Sequence, residues 1–174
     1  MEMRYSPLGE CKMGGFGEVS FFIDRNLERK VAIKTIQNFD ELPRLKDEIS
    51  ALMKMRSKHV VQVFDIVQYP ESFGIVMEYI NGQDLMDPTP YQESPDKLLK
   101  LLWQISSGIS DIHNVGVIHR DIKPNNMKVD EEGTLKIFDF GLARNIGKDA
   151  RTVGFVGTHG FSAPEQYKYG ELEF

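Results

Sequence analysis

One segment narrows the choices more than any other: His119-Arg120-Asp121-Ile122-Lys123-Pro124-Asn125-Asn126, followed further on by Asp139-Phe140-Gly141. The runs Asn126 to Asp130 and Thr134 to Phe140 read as the two strands of a hairpin around Glu131-Glu132-Gly133. A carboxylate, a cation and an amide therefore stand directly before a hairpin, and a second carboxylate ends it. Asp121 can orient an attacking hydroxyl or accept its proton, Lys123 can neutralise a transferring phosphoryl group, and Asn126 can bind a metal ion. Asp139 is an acid positioned to hold Mg2+, with a flexible glycine after it. The spacing of Asp121, Asn126 and Asp139 says more than any one of these motifs.

Upstream, Lys12-Met13-Gly14-Gly15-Phe16-Gly17-Glu18-Val19 has three glycines between two strands, where a backbone can approach polyphosphate closely. Lys34 ends the apolar run Val31-Ala32-Ile33; taken alone it reads as an exposed surface lysine, while a cation there that needs a partner has Glu48 on the helix that follows. The texture changes near residue 81. Before it come β-branched and aromatic runs, at 18–23, 31–36, 60–67 and 73–80, broken by polar turns and one helix. That helix has Asp40 as N-cap, Pro43 in its first turn, and Leu42, Leu45, Ile49, Leu52 and Met53 on one face. After it the spacing predicts a helix from about Pro95 to His113, with Leu98, Leu102, Ile105, Ile109 and Ile112 as its buried stripe. Leu99 and Trp103 lie on a second apolar side. Residues 141–174 read as a long functional loop.

Composition excludes the other broad classes. Of 174 residues, 41% are hydrophobic and 27% charged, which is globular, and no apolar run is long enough to span a membrane. Acidic residues outnumber basic ones 26 to 21, arguing against a general nucleic-acid binder. A single cysteine, Cys11, and an N-terminus without an apolar signal core point to a reducing, cytoplasmic setting.

Taken in chain order, the glycine loop, Val31-Ala32-Ile33-Lys34, His119-Arg120-Asp121, Asp139-Phe140-Gly141 and Ala163-Pro164-Glu165 resemble a eukaryotic-type (Hanks-type) protein kinase over essentially the whole chain. The resemblance implies an α+β, bilobal fold. Residues 1–80 would form a β-rich N-lobe of five strands and one regulatory helix, and residues 81–174 an incomplete helical C-lobe. ATP and Mg2+ would be the cofactors. Gly14, Gly15, Phe16 and Gly17 would cover the ATP phosphates, and Lys34, held by Glu48, would bind two of them. Val19 and Ala32 would cap the adenine, Met77 would be the gatekeeper, and Glu78, Tyr79 and Ile80 would form the hinge. Asp121 would be the catalytic base with Lys123 assisting, and Asn126 and Asp139 would hold Mg2+. His119, Phe140 and Leu52 would stack in a regulatory spine. Lys123-Pro124 and Thr158 resemble Ser/Thr kinases, whose substrates are protein hydroxyls. Arg120 would receive a phosphate on the activation loop, with Thr152 as the acceptor and Thr158 in a structural role.

Three positions depart from the pattern. Lys12 replaces the first loop glycine, Lys128 stands where an aliphatic residue normally forms the adenine floor, and the approach from Lys34 to Glu48 is short. Weaker ATP affinity is the expected consequence. The helices that usually follow Ala-Pro-Glu are absent from this sequence, which leaves Leu99 and Trp103 without their usual cover. A homodimer or partner protein could supply it, and a fragment is the other expectation. The alternative to an active Ser/Thr kinase is a catalytically silent nucleotide- or partner-binding module of pseudokinase type. A small-molecule phosphotransferase is disfavoured by Lys123-Pro124 and Ala163-Pro164-Glu165.

Overall fold

The β-branched runs pair antiparallel. The computed structural model describes residues 4–14, 17–37, 42–87, 94–140, 158–162 and 164. In it, β1 (Tyr5–Gly14), β2 (Gly17–Asp24), β3 (Arg29–Ile36), β4 (Val63–Gln68) and β5 (Phe73–Glu78) form a five-stranded sheet in the order β1-β2-β3-β5-β4. Alternation of side chains turns Val31 and Ile33 of β3 toward a small cluster with Val76, and sends Ala32 and Lys34 to the opposite face. The register sets Val19 across from Lys34 and Met77 across from Ala32, so these four residues share one face.

Helix α1 (Leu42–Lys54) buries Leu45, Ile49 and Leu52, one stripe at helical spacing. Pro43 sits in its first turn, where no intrahelical donor is lost. The expected N-cap, Asp40, lies outside the described residues. A second sheet, β6 (Gly82–Asp84), β7 (Met127–Asp130) and β8 (Leu135–Ile137), runs in the order β6-β7-β8, with helix α2 (Pro95–Asn114) packed on β8. Gly108 of α2 permits this approach, because a Cβ there would lie 2.9 Å from both the His59 carbonyl oxygen and Ile137 Cδ1.

The two sheets are joined by backbone. Ile137 N–H donates to His59 O at 2.9 Å, Val61 N–H donates to Ile137 O at 2.8 Å, and Val60 bridges Ile137 in parallel. This corrects the reading of 60–67 as a single strand: its first residues pair with β8, and β4 begins only at Val63. One core runs through both parts, from Leu45, Ile49 and Leu52 through Phe73 and Ile75 to Leu101, Ile112, Leu135, Ile137 and Phe140.

The stripe expected on α2 holds toward its C-terminal end, where Ile112 is buried and Ile105 and Ile109 pack against the core, and is corrected at its start. The helix's buried residues are Leu101, Gln104, Gly108 and Ile112, whereas Leu98 and Leu102 are 44% and 49% exposed. The reason is polar. Gln104 accepts from Leu135 N–H at 2.9 Å and donates to Gly133 O at 3.4 Å, which satisfies the hairpin backbone from inside the core and rotates the helix toward it. Leu99 and Trp103 are 65% and 64% exposed. Among the described residues no helix is long and apolar enough to cross a membrane.

Arg4 ties the start of the chain to the sheet, donating to Asp24 at 2.8 and 3.1 Å and to Asp65 at 2.9 Å. The guanidinium holds the buried Asp24 carboxyl below its ordinary range despite the opposing effect of burial. A carboxylate depressed in the folded state stabilises above its unfolded pKa, and that contribution is lost as pH falls through the folded value. Asp24→Asn is therefore expected to cost roughly 1–2 kcal/mol at neutral pH, a gap that closes in acid. Urea unfolding of both proteins across the acid range measures it.

Candidate active site

The loop between α2 and β7 is organised by a buried histidine. Burial lowers the His119 pKa and keeps the ring neutral. A neutral ring can serve both neighbours in one tautomer, with Nε2–H donating to Phe138 O at 3.0 Å and Nδ1 accepting from Asp121 N–H at 3.3 Å. The ring also lies 5.0 Å from that of Phe140, and Phe140 and Leu52 belong to the same core cluster.

Asp121, thus oriented, is 3% exposed and surrounded by donors. Lys123 Nζ is 2.9 Å from Oδ2, Thr158 Oγ1–H donates to Oδ1 at 2.7 Å, and Asn126 Nδ2 donates to Oδ2 at 3.1 Å and to the Asp121 carbonyl at 2.8 Å. Lys123 also donates to Thr158 Oγ1 at 2.8 Å, closing a ring of three side chains. Burial alone would raise the Asp121 pKa, and these hydrogen bonds, led by Lys123, outweigh it and hold the carboxyl below its usual range. Asn126 is set by a 3-10 turn, Pro124–Asn126. Since its amide nitrogen serves Asp121, its amide oxygen is the atom left for a ligand.

On β3, Lys34 is 4% exposed and forms an ion pair with Asp139 Oδ1. An oxygen from Asn126 and a carboxylate from Asp139 make a hard donor set that suits Mg2+. Arg120 and Asp139 both take positive φ, 65° and 59°, a strained choice for residues with a Cβ and one that clusters where function needs it.

Glu48, the partner expected for Lys34, lies on α1 and is partly buried. Its Oε2 is buried without a hydrogen-bond partner, and burial raises its pKa against the opposing charge of Arg120. The other sequence-predicted residues fall into clear groups. Val19, Ala32, Lys34 and Met77 share the lower face of the first sheet, and Glu78, Tyr79 and Ile80 follow at the end of β5. Gly14 and Gly17 pair with each other at the tip of β1 and β2. Gly15, Phe16 and Thr152 lie outside the described residues.

Two carboxylate partners escape a reading of the sequence. Lys128 Nζ is 3.3 Å from Asp84 Oδ1, and Lys136 Nζ is 2.7 Å from Glu78 Oε1. Asp84 lies in the three-residue strand β6, too short and polar to show a period, and only its register with Lys128 reveals the pair.

Comparison with known proteins places this geometry. The model of the protein kinase domain matches residues 5–172. Maternal embryonic leucine zipper kinase of Xenopus tropicalis is 34% identical over 94% of this chain, which covers 26% of that protein. A Corynebacterium efficiens protein named serine/threonine-protein kinases drp72 is 36% identical over 88% of this chain, covering 32% of its own length. The crystal structure of Rad53 1-466 in complex with AMP-PNP superposes with a TM-score of 0.76 at 29% identity, over 96% of this chain and 43% of that one. The chain spans about a quarter to a third of the length of these two curated relatives. By the family model, by these relatives and by its fold, the chain belongs to the protein kinase domain family.

Proposed function

We propose that this chain is the catalytic part of an ATP- and Mg2+-dependent protein kinase that moves the γ-phosphate to a serine or threonine hydroxyl, its own included. The reading divides it into lobes at 1–80 and 81–174, and the unpaired, exposed Cys11 fits a cytoplasmic setting. The observation that carries the reading is the closed set Asp121, Lys123, Asn126 and Thr158, in which a cation, an amide nitrogen and a hydroxyl converge on one carboxylate.

Asp121 with a depressed pKa is a poor proton store at neutral pH and a good acceptor for a hydroxyl, so its first task is to orient the nucleophile. Lys123, already beside it, offsets charge that builds on the transferring group. Lys34 reaches the phosphates from the opposite wall, and Asn126 and Asp139 would hold Mg2+. When bound, that ion supplies charge neutralisation at phosphate oxygens. Catalysis on this account is positioning and electrostatics, with no covalent intermediate on the protein.

The neighbour solved with AMP-PNP supports a nucleotide in the cleft, and the relatives' names support Ser/Thr specificity. A silent binding module is the second reading, favoured by Glu48, whose Oε2 is buried without a hydrogen-bond partner. The two separate in a transfer assay with γ-labelled ATP and casein, followed by phosphoamino-acid analysis. Label in phosphoserine and phosphothreonine is the expected result. Label in phosphotyrosine alone contradicts the specificity, and no label with retained nucleotide binding favours the silent module.

A further inference from the structure

β8 leads straight into Asp139, and each residue of 135–139 is held by a different part of the molecule. Leu135 N–H donates to Gln104 of α2, and Phe138 bonds to Asn126 through its N–H and to His119 through its carbonyl. The first sheet and the segment before β4 hold the other three. Ile137 N–H donates to His59 and its carbonyl accepts from Val61 N–H, Lys136 pairs with Glu78 of β5, and Asp139 pairs with Lys34 of β3.

The Lys136–Glu78 pair is well anchored. Its side chains are 15% and 28% exposed, so solvent screens it less than an ordinary surface pair. The carboxylate is fixed through its other oxygen, where Gln62 N–H donates to Glu78 Oε2 at 3.2 Å, and Glu78 N–H returns a bond to Gln62 O at 2.9 Å. Gln62 in turn donates through Nε2 to the carbonyl of Met53, in the last turn of α1, at 3.3 Å. Lys136 thereby fastens β8 to the sheet that carries Lys34 and to the end of α1.

On the proposed function, Asp139 turns to Mg2+ and Lys34 to the phosphates, so their direct pair is given up when nucleotide binds. The Glu78–Lys136 pair involves neither residue and can persist. We infer that Lys136 is a positioning residue: through Glu78 it keeps the strand leading to Asp139 in register with the first sheet once the Lys34–Asp139 pair is released. This rests on that function and adds Lys136 to the residues that place the Asp139 carboxylate. A metal ligand already held by its surroundings binds more tightly than one that must be fixed at the moment of binding.

The test is the gain in AMP-PNP affinity that Mg2+ provides over a chelator, measured by titration calorimetry. Lys136→Met is expected to cut this gain about fivefold and to leave affinity in chelator within about twofold of the parent. Glu78→Gln, which keeps an oxygen for Gln62 N–H, should show the same loss. The double variant should match either single within about twofold, since each breaks the same pair. Lys128 stands across from Lys136 in register, so Lys136→Met also removes a neighbouring like charge, whereas Glu78→Gln retains it. Agreement between the two assigns the effect to the pair. Lys136→Arg keeps the pair and should keep most of the gain. Melting temperatures without ligand check folding, and Glu78→Gln carries the test if Lys136→Met does not fold.

An undiminished Mg2+ gain in the folded variants overturns the inference. Equal weakening with and without Mg2+ overturns it too, and makes the pair a general prop of the fold. Additive losses in the double variant do the same. A parent that binds no analogue, or gains nothing from Mg2+, contradicts the proposed function itself, and this shows before any variant is compared.

Discussion

Asp121→Ala is expected to lower phosphoryl transfer by about a thousandfold while leaving Mg2+-nucleotide affinity within about twofold of the parent. The split follows from what the carboxylate touches. Its partners include Lys123, Thr158 and Asn126, where on the proposed reading a hydroxyl would arrive, whereas Lys34 is paired with Asp139. Removing Asp121 also strips buried donors of their acceptor, so some loss of stability accompanies the loss of rate. Asp121→Asn keeps the volume and an acceptor for Thr158, and should show the same split at higher stability. Titration calorimetry and a steady-state assay on one preparation separate the two effects. Parallel loss of binding and turnover would make Asp121 a nucleotide ligand and contradict its assignment.

Asp139→Ala has the opposite profile. The carboxylate faces Lys34, and on the proposed reading it would hold Mg2+ together with the amide oxygen of Asn126. Its removal should abolish the extra thermal stabilisation that ATP provides with Mg2+ over ATP with a chelator, and transfer should fall with it. The protein without ligand should melt lower as well, since a nearly buried ammonium loses a counter-charge. The Mg2+-dependent increment, not the absolute melting temperature, is the readout. An undiminished increment in the variant would contradict the role of Asp139 at the metal.

The residues brought together around Asp121 were legible because each belongs to a short segment with fixed spacing: Asp121, Lys123 and Asn126 lie within one loop, and Asp139 at the far end of the adjoining hairpin. Thr158 comes from much further along, and the resemblance rather than any local pattern singled it out. Local patterning failed where a polar group does core work. Gln104 turns α2 by satisfying the hairpin backbone, and apolar periodicity cannot register that. It failed again at 59–61, where a β-prone run divides its pairing between two sheets. The ion pair of Lys34 with Asp139 was beyond reach for a different reason: the two lie 105 residues apart in the chain, and only the packed arrangement brings them together.

That arrangement is also what makes the transfer reaction the point to measure. The direct test is intact mass of the protein after incubation with ATP and Mg2+, beside Asp139→Ala treated identically. The account predicts phosphate-sized mass increments in the parent alone, on serine or threonine. An unchanged parent mass, with Mg2+-ATP still raising its melting temperature, would contradict catalysis by this chain and leave a nucleotide-binding module in its place.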